Sequence, residues 1–496
     1  MTGLPNPLIP GFNPDPSVVR VGDDYYLATS TFEYLPGVPV YHSTDLVTWT
    51  QIGNVAVRDA QLGVPDAPTN LGVWAPTIRH RDGVFFLIVT DTAGRGTCLF
   101  TAADPAGPWS DGVVIDIEGI DPDLAWGDDG TAYVTYSGLV LSGPDIGAHR
   151  GIEQVVVDTA TGAVLGEKRS LWSGDGGMFP EAPHLYRVGE RWYLMVAEGG
   201  TERGHSISIA RSASPDGPFV SCPANPLVTA RGTARPVQCT GHGDLFEGPG
   251  GQWYVAMLGT RPRGMVRSFS ALGRETFVSP ARWTDDGWLE IDPVELNPRA
   301  PFGWVEDFDG GLGHAWIGVR RRPDQLADLA ARPGWLTLTG EGEGMGAFRP
   351  VFVGHRQQHQ TCEIRAVVDA SEGVGGLAVR YDEEFHYGIE VAGNRVTARA
   401  VVPGFVREAS AEVPDGPVEV VLTSRVPEAT GMGHVASDLV GLGFVRGDGE
   451  TEVLAEVDGR YLSNETAGSF TGRVFGVYAE AGTVAVDRIA YSGDNS

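Results

Sequence analysis

Along the first three fifths of the chain, hydrophobic positions come in short runs cut apart by Gly, Asp and Pro, a pattern that predicts strands and turns. Five runs lead with aromatics and end in aliphatics: Tyr25-Tyr26-Leu27, Phe85-Phe86-Leu87, Tyr133-Val134, Trp192-Tyr193-Leu194 and Trp253-Tyr254-Val255. Upstream of each stands a related start: Asp15-Pro-Ser, Ala75-Pro-Thr, Asp121-Pro-Asp, Glu181-Ala-Pro or His242-Gly-Asp. Start and aromatic lie 11, 11, 12, 12 and 12 residues apart (26 − 15, 86 − 75, 133 − 121, 193 − 181, 254 − 242), and successive starts are 60, 46, 60 and 61 apart. A repeat of this length built from short strands predicts the blades of a β-propeller, here five. Strand-and-turn segments between the copies, such as Val38-Pro-Val-Tyr-His-Ser, leave room for about four strands per blade.

After a Pro- and Asp-rich stretch, Asp292-Pro to Pro298-Arg-Ala-Pro301, the repeat stops. Runs of period two follow, among them Thr361-Cys-Glu-Ile-Arg-Ala-Val-Val, Tyr387-Gly-Ile-Glu-Val and Val484-Ala-Val-Asp-Arg-Ile. This alternation predicts an antiparallel β-sandwich. The chain therefore reads as all-β with two domains, residues 1–300 and 301–496. No linker is long enough for free tumbling, so the two are expected to pack together. The clearest helical run, Pro323 to Ala331, predicts about two turns.

Composition narrows the chemistry. A net charge of −28 and a pI near 4.7 argue against nucleic acid, anionic membranes and polyanionic substrates, and are compatible with a neutral ligand such as a sugar. Lys168 is the only lysine and sits in neither a Schiff-base nor a P-loop context. None of the four cysteines forms a CxxC pair. Buried free thiols are expected, with a Cys222–Cys239 bridge left open. No stretch approaches the roughly 20 apolar residues of a membrane span. The N-terminus shows no signal-peptide pattern, so a cytoplasmic protein is expected. Assembly of copies through the sandwich is a further expectation, without an interface signal in the sequence.

Equivalent positions of a radial repeat point at one axis. Asp15, Asp121, Glu181 and His242 should therefore gather at one end of a central channel. The proline after Asp15 and Asp121 favours an extended backbone at both aspartates. Glycoside hydrolysis needs such a set: one carboxylate activates water, a second carboxylic acid protonates the leaving oxygen, and a third negative charge holds the acid's pKa up. One Asp-Pro is an ordinary turn pair; three carboxylates at equivalent repeat positions are not.

Asn13-Pro-Asp15-Pro-Ser17, Gly119-Ile-Asp121-Pro, Pro180-Glu181-Ala-Pro-His-Leu and Gly241-His242-Gly-Asp resemble, in this order, the motifs of glycoside hydrolase family 43. The resemblance covers nearly the whole chain. It implies a five-bladed propeller followed by the concanavalin-like sandwich of the family's β-xylosidases and arabinofuranosidases. It also implies Asp15 as general base, Asp121 as pKa modulator and Glu181 as general acid. Phe32 and Trp74 then flank the first sugar subsite, Arg274 hydrogen-bonds the terminal sugar's hydroxyls, and Phe470 reaches from the sandwich to close the site. His242 resembles the family's axial histidine, often found beside a largely water-coordinated calcium ion. Imidazole is a poor calcium ligand, so His242 is read as a polar axial residue. Asp123 stands where many members carry Ser and is expected on the opposite strand face.

The chemistry so implied needs no cofactor. A structural calcium is considered where Asp307, Asp309 and Asp487 could meet, and His355-x3-His359 is set aside as a metal pair. Gly127-Asp-Asp-Gly130 reads as a hairpin turn. The implied activity is that of an exo-acting, inverting hydrolase releasing terminal arabinofuranose, xylose or both from xylan- or arabinan-derived oligosaccharides. The stretch Phe32-Glu-Tyr-Leu-Pro-Gly-Val-Pro-Val leaves the choice of sugar open. Two other readings stay open: a non-catalytic carbohydrate-binding propeller, and a retaining, invertase-like glycosidase with Asp15 as nucleophile.

Overall fold

Each of the five repeats folds into one antiparallel sheet. The computed structural model describes residues 3–264, 269–427 and 437–494. Four blades have four strands and the fourth has five. The innermost strands are Ser17–Val21, Val73–Arg81, Ile120–Trp126, Glu181–Val188 and Gln238–Glu247. Successive side chains of a strand face opposite sheet surfaces, so each blade presents an apolar face to both neighbours. Separate clusters of buried residues fill the gaps between blades. Leu87, Val89 and Phe100 of blade 2 pack with Val38 and Val40 of blade 1, and Leu99 and Ile88 of blade 2 pack with Val134 and Val155 of blade 3.

The ring closes without a shared sheet. Residues 6–9 lie along blade 5, where Leu8 N–H donates to Thr276 O at 2.7 Å and the Asn6 side chain reaches Val278 O at 2.9 Å. Leu8, Ile9, Val18 and Leu27 then share a core with Phe246, Ala256 and Val278. Gly127–Gly130 forms the turn of a hairpin, with Gly130 N–H donating to Gly127 O.

The last propeller strand ends at Ile291 and the first strand of the second unit starts at Phe302. Two long strands, Thr361–Arg380 and Val474–Asp494, run through both layers of that unit. The first half of Thr361–Arg380 pairs with Val418–Arg425 and its second half with His386–Ala392. Its first ten residues alternate between half-buried and buried, which puts Cys362, Ile364, Ala366 and Val368 in the core between the layers. The helix expected over residues 323–331 shrinks to one turn, Pro323–Leu326, because Ala327–Asp328 pairs as a strand with Leu336–Glu341. All four cysteines are buried and free, so no Cys222–Cys239 bridge forms. No helix among the described residues is long and apolar enough to cross a membrane.

The two units are joined by backbone pairing as well as packing. Tyr34–Leu35 leaves blade 1 and pairs with Ile317–Val319 of the sandwich. Phe12, Phe32 and Tyr34 of the propeller share an apolar core with Val319, Phe352 and Val474, and Trp74 and Phe470 pack against its edge.

Candidate active site

Besides Cys239 (55°) in blade 5, each innermost segment has one residue of positive φ: Asp15 (56°), Ala75 (45°), Asp121 (55°), Ala182 (49°) and His242 (50°). In blades 2 to 5 this residue sits in a bulge, where the register slips between Trp74 and Thr77, Ile120 and Asp123, Glu181 and His184, and Gly241 and Asp244. The extended backbone expected at Asp15 and Asp121 is therefore not found. The bulge overrides the preference set by the following proline and turns the side chain toward the axis. The repeat is also offset by one residue in blade 4, where Ala182 takes the bulge position and Glu181 matches Trp74, Ile120 and Gly241. Glu181 reaches the site from that preceding position.

Two residues past each bulge lies a second axial layer. Arg79 of blade 2 spans it: Nη1 donates to Ser17 Oγ (3.2 Å) and Asp244 Oδ2 (2.9 Å), and Nη2 to Asp123 Oδ1 (2.6 Å), with His184 Nδ1 3.0 Å away. One guanidinium thus contacts all four other blades. Asp123 does not lie on the opposite face from Asp121. Both accept a backbone N–H of blade 4, Asp121 from Ala182 (3.0 Å) and Asp123 from Leu185 (2.9 Å). The bulge at Asp121 and these two bonds set both carboxylates against the same neighbouring strand, so both face inward.

Above this layer the structure gathers every site residue expected from the sequence. Asp15, Asp121, Glu181, His242, Arg274, Phe32, Trp74 and Phe470 line one cavity of about 390 Å³. Asp15 Oδ2 accepts from Ser30 Oγ (2.6 Å), and Oδ1 accepts from Arg274 Nη1 (3.1 Å) with His242 Nδ1 at 3.6 Å. Burial pushes the Asp15 carboxyl up, but Arg274, His242 and Ser30 together hold it below the usual carboxylate range. Burial, then the charge of Asp15, pushes Asp121 up to about 7, against the Ala182 N–H that favours its ionised form. Glu181 is raised well above its usual range by burial, then by Asp121 and Asp15. Among the described residues no hydrogen-bond donor reaches its carboxyl, so the proton the three acids must retain falls most readily on Glu181. Burial lowers His242 to about 4, which leaves a neutral imidazole beside Asp15.

Phe470 does reach in from the sandwich. Its ring lies 5.9 Å from Phe32 and 5.6 Å from Trp74, centroid to centroid. Its carbonyl accepts from Arg274 Nε (3.3 Å) and Nη2 (3.1 Å), and its N–H donates to Asn70 Oδ1 (2.9 Å). Arg274 Nη1 also donates to Thr201 Oγ1 (3.0 Å), so one of its five N–H groups, on Nη2, is left for a ligand. Gly273, at φ 74°, permits this approach: a Cβ there would stand 2.3 Å from Thr471 O. Asn464 holds the far side of the loop, donating to Ser469 O (2.8 Å) and accepting from Tyr381 (2.6 Å). Met178, Phe179, Thr201 and Glu202 complete the cavity, with Met178 67% and Phe179 42% exposed.

Sequence reasoning missed Arg79, Asn70, Ser30 and the role of Asp244. Asp244, Asp123 and Ser17 share one offset from the axial residue of their repeats, a signal that could have marked the second layer. Among the described residues no three His, Cys, Asp or Glu side chains come together to hold a metal ion, Asp307, Asp309 and Asp487 included. Around His242 the donors are imidazole nitrogens and the Asp15 carboxylate already paired with Arg274, a poor set for calcium.

A propeller whose axis holds two aspartates and a glutamate of unequal proton affinity, in a cavity roofed by aromatics, defines a glycosidase. Residues 4–289 match the glycosyl hydrolases family 43, and residues 305–491 match the β-xylosidase C-terminal concanavalin A-like domain. The chain is 34% identical to a non-reducing end α-L-arabinofuranosidase of Bacteroides ovatus, over 96% of this chain and 90% of that protein. It is 32% identical to a xylosidase/arabinosidase of Butyrivibrio fibrisolvens, over 96% and 95%. The crystal structure of a xylan β-1,4-xylosidase from Bacillus halodurans superposes with a TM-score of 0.88 at 31% identity, covering 99% of this chain and 100% of that one. The chain belongs to glycoside hydrolase family 43 and is an inverting, exo-acting glycosidase whose chemistry requires no cofactor.

Proposed function

We propose that the protein removes single terminal α-L-arabinofuranose or β-D-xylose units from short oligosaccharides derived from xylan or arabinan. The observation that carries this reading is the gathering of three carboxylates in unequal surroundings in one cavity of about 390 Å³ closed by Phe470: Asp15 holds Ser30 and Arg274, Asp121 the Ala182 N–H, and Glu181 faces the other two acids. The cavity has room for a terminal sugar, and the Phe470 ring closes it from the sandwich side, which suits the release of end units. The relatives named xylosidase/arabinosidase and arabinofuranosidase support the choice of sugar.

In this reading Asp15, ionised, accepts a proton from the attacking water. Glu181, protonated, donates to the leaving oxygen. Asp121 keeps the Glu181 proton affinity high. Phe32, Trp74 and Phe470 pack against the ring's C–H surfaces, and the free N–H of Arg274 meets a ring hydroxyl. Attack from the face opposite the leaving group inverts the anomeric centre.

The test uses the nitrophenyl glycosides of both sugars and the matching disaccharides. Asp15→Ala should lose nearly all activity on both kinds of substrate. Glu181→Ala should retain more on the nitrophenyl compounds, whose leaving groups need little acid help. NMR of the first-formed sugar should show the inverted anomer. Failure of the wild type on both sugars sinks the substrate assignment, and a retained anomer sinks the water-attack mechanism.

A further inference from the structure

A second cavity, of about 380 Å³, lies between the N-terminal strap, blade 1 and the sandwich. It shares no lining residue with the catalytic cavity and is nearly the same size, so it too has room for one sugar ring. Its mouth is open to solvent at Thr48 and at Phe302, which is 54% exposed.

Its charge runs against that of the molecule. The chain carries 64 acidic and 36 basic residues, yet no acid lines this cavity while Arg299 and Arg356 both do. Arg356 is only 7% exposed, and its Nε and Nη2 are buried without a hydrogen-bond partner. The other buried arginines among the described residues are all matched to carboxylates: Arg261 with Glu275, Arg274 with Asp15, Arg320 and Arg380 with Glu383, and Arg473 with Asp438. The groups facing Arg356 are Tyr34, Tyr41 and His355, and its guanidinium lies over the Phe12 ring at 5.2 Å.

A guanidinium does not shed its charge in a protein, and an aromatic face offsets only part of the cost of burying it. Arg299 has one hydrogen bond, to Leu8 O at 3.1 Å; the charge of Asp45 acts on it, but no carboxylate forms a salt bridge with it among the described residues. Beside the two arginines stands Trp49, whose indole N–H is already bonded to Leu46 O, which leaves the ring for packing.

We infer that this cavity binds a carboxylate-bearing ligand no larger than one sugar ring, its anion held by Arg356 and Arg299 and its apolar face set against Trp49. The same chemistry could come from a uronic acid or from a free short carboxylic acid.

Thermal unfolding of the full chain tests this at matched ionic strength in glucuronate, acetate, glucose or sodium chloride. Glucuronate should raise the Tm saturably, whereas glucose and chloride should not. Acetate as effective as glucuronate assigns the site to short free acids; glucuronate alone assigns it to an acidic sugar. Arg356→Gln should abolish the shift, and Arg299→Gln should weaken the apparent Kd about tenfold. No saturable shift with either carboxylate overturns the inference, as does an equal shift with glucose. A full response in Arg356→Gln also overturns it, by placing the ligand elsewhere. Should Arg356→Gln fail to fold, the wild-type series and Arg299→Gln decide, an unchanged response in the latter counting against the site.

Discussion

At the scale of single residues, the fold gives three similar acids different proton affinities. Asp15 has a serine hydroxyl and a guanidinium on its oxygens, whereas Glu181 has neither and faces two other acids. In the proposed mechanism Asp15 acts ionised, so activity should fall as pH drops through its lowered pKa. Glu181, the acid of that mechanism, acts protonated, so activity should fall again as pH rises through its raised pKa. Asp121→Asn keeps an oxygen for the Ala182 N–H but removes a charge that repels the Glu181 carboxylate. The Glu181 pKa should then drop, moving the alkaline limb of the kcat/KM profile to lower pH while the acid limb moves less. A profile whose alkaline limb stays in place would show that Asp121 does not tune Glu181. Asp15 and Asp121 were legible because the repeat marks them. The one-residue offset of Glu181 was not, since a bulge is set by cross-strand pairing rather than by the local sequence.

At the scale of elements, the five inner strands are held by one side chain. Arg79 touches Ser17, Asp123, His184 and Asp244, so each of the other blades has a contact to it. Burial opposes ionisation of Asp244, but Arg79, His184 and the Tyr186 hydroxyl hold its pKa well below the usual carboxylate range. Arg79→Met would leave Asp123 and Asp244 buried without their counter-charge. Breaking such a pair typically costs about 3–5 kcal/mol, which denaturant or thermal unfolding would read. The folded pKa of Asp244 lies below its unfolded value, so this stabilisation is full above about pH 4 and is lost as pH falls further. The wild type should therefore lose stability on acidification more steeply than Arg79→Met, and parallel curves would remove Arg79 from that role. The helical reading of residues 323–331 failed at this scale too. One turn forms at Pro323, but Ala327–Asp328 finds a strand partner in Leu336–Glu341 that the local pattern does not show.

At the scale of the whole molecule, the cavity is finished by Phe470, 228 positions beyond His242, the propeller's last axial residue (470 − 242). Asn70 organises that junction. At φ 68°, a conformation asparagine tolerates, its Oδ1 accepts from Ser469 Oγ (2.7 Å) and Phe470 N–H (2.9 Å), while its carbonyl accepts from Trp74 Nε1 (2.9 Å). Asn70→Ala keeps the backbone bond to Trp74 but loosens Phe470. Ser469 Oγ can still pair with Thr471 Oγ1, so the Phe470 N–H is the donor left unmatched, at a cost of about 1–3 kcal/mol, and kcat/KM should fall about tenfold, chiefly through a higher KM. Phe470→Ala should raise KM in the same way with little change in the pH profile, because the ring packs on Phe32 and Trp74 rather than on the three acids. An effect on kcat alone in either variant would argue that the loop does not shape substrate binding.

The sequence by itself determined the strand content, the five repeats, the change from repeat to sandwich and the three carboxylates. All of these follow from local periodicity and from motifs a few residues long. Tertiary structure decided what depends on residues brought together from afar. It set the bulges that aim the acids, the opposite shifts in their proton affinity, the Arg79 layer beneath them and the closure by Phe470 and Asn70. It also left Arg356 buried opposite no acid. Each of these is a matter of desolvation and of which partner lies within hydrogen-bonding reach, and neither quantity exists until the chain has folded.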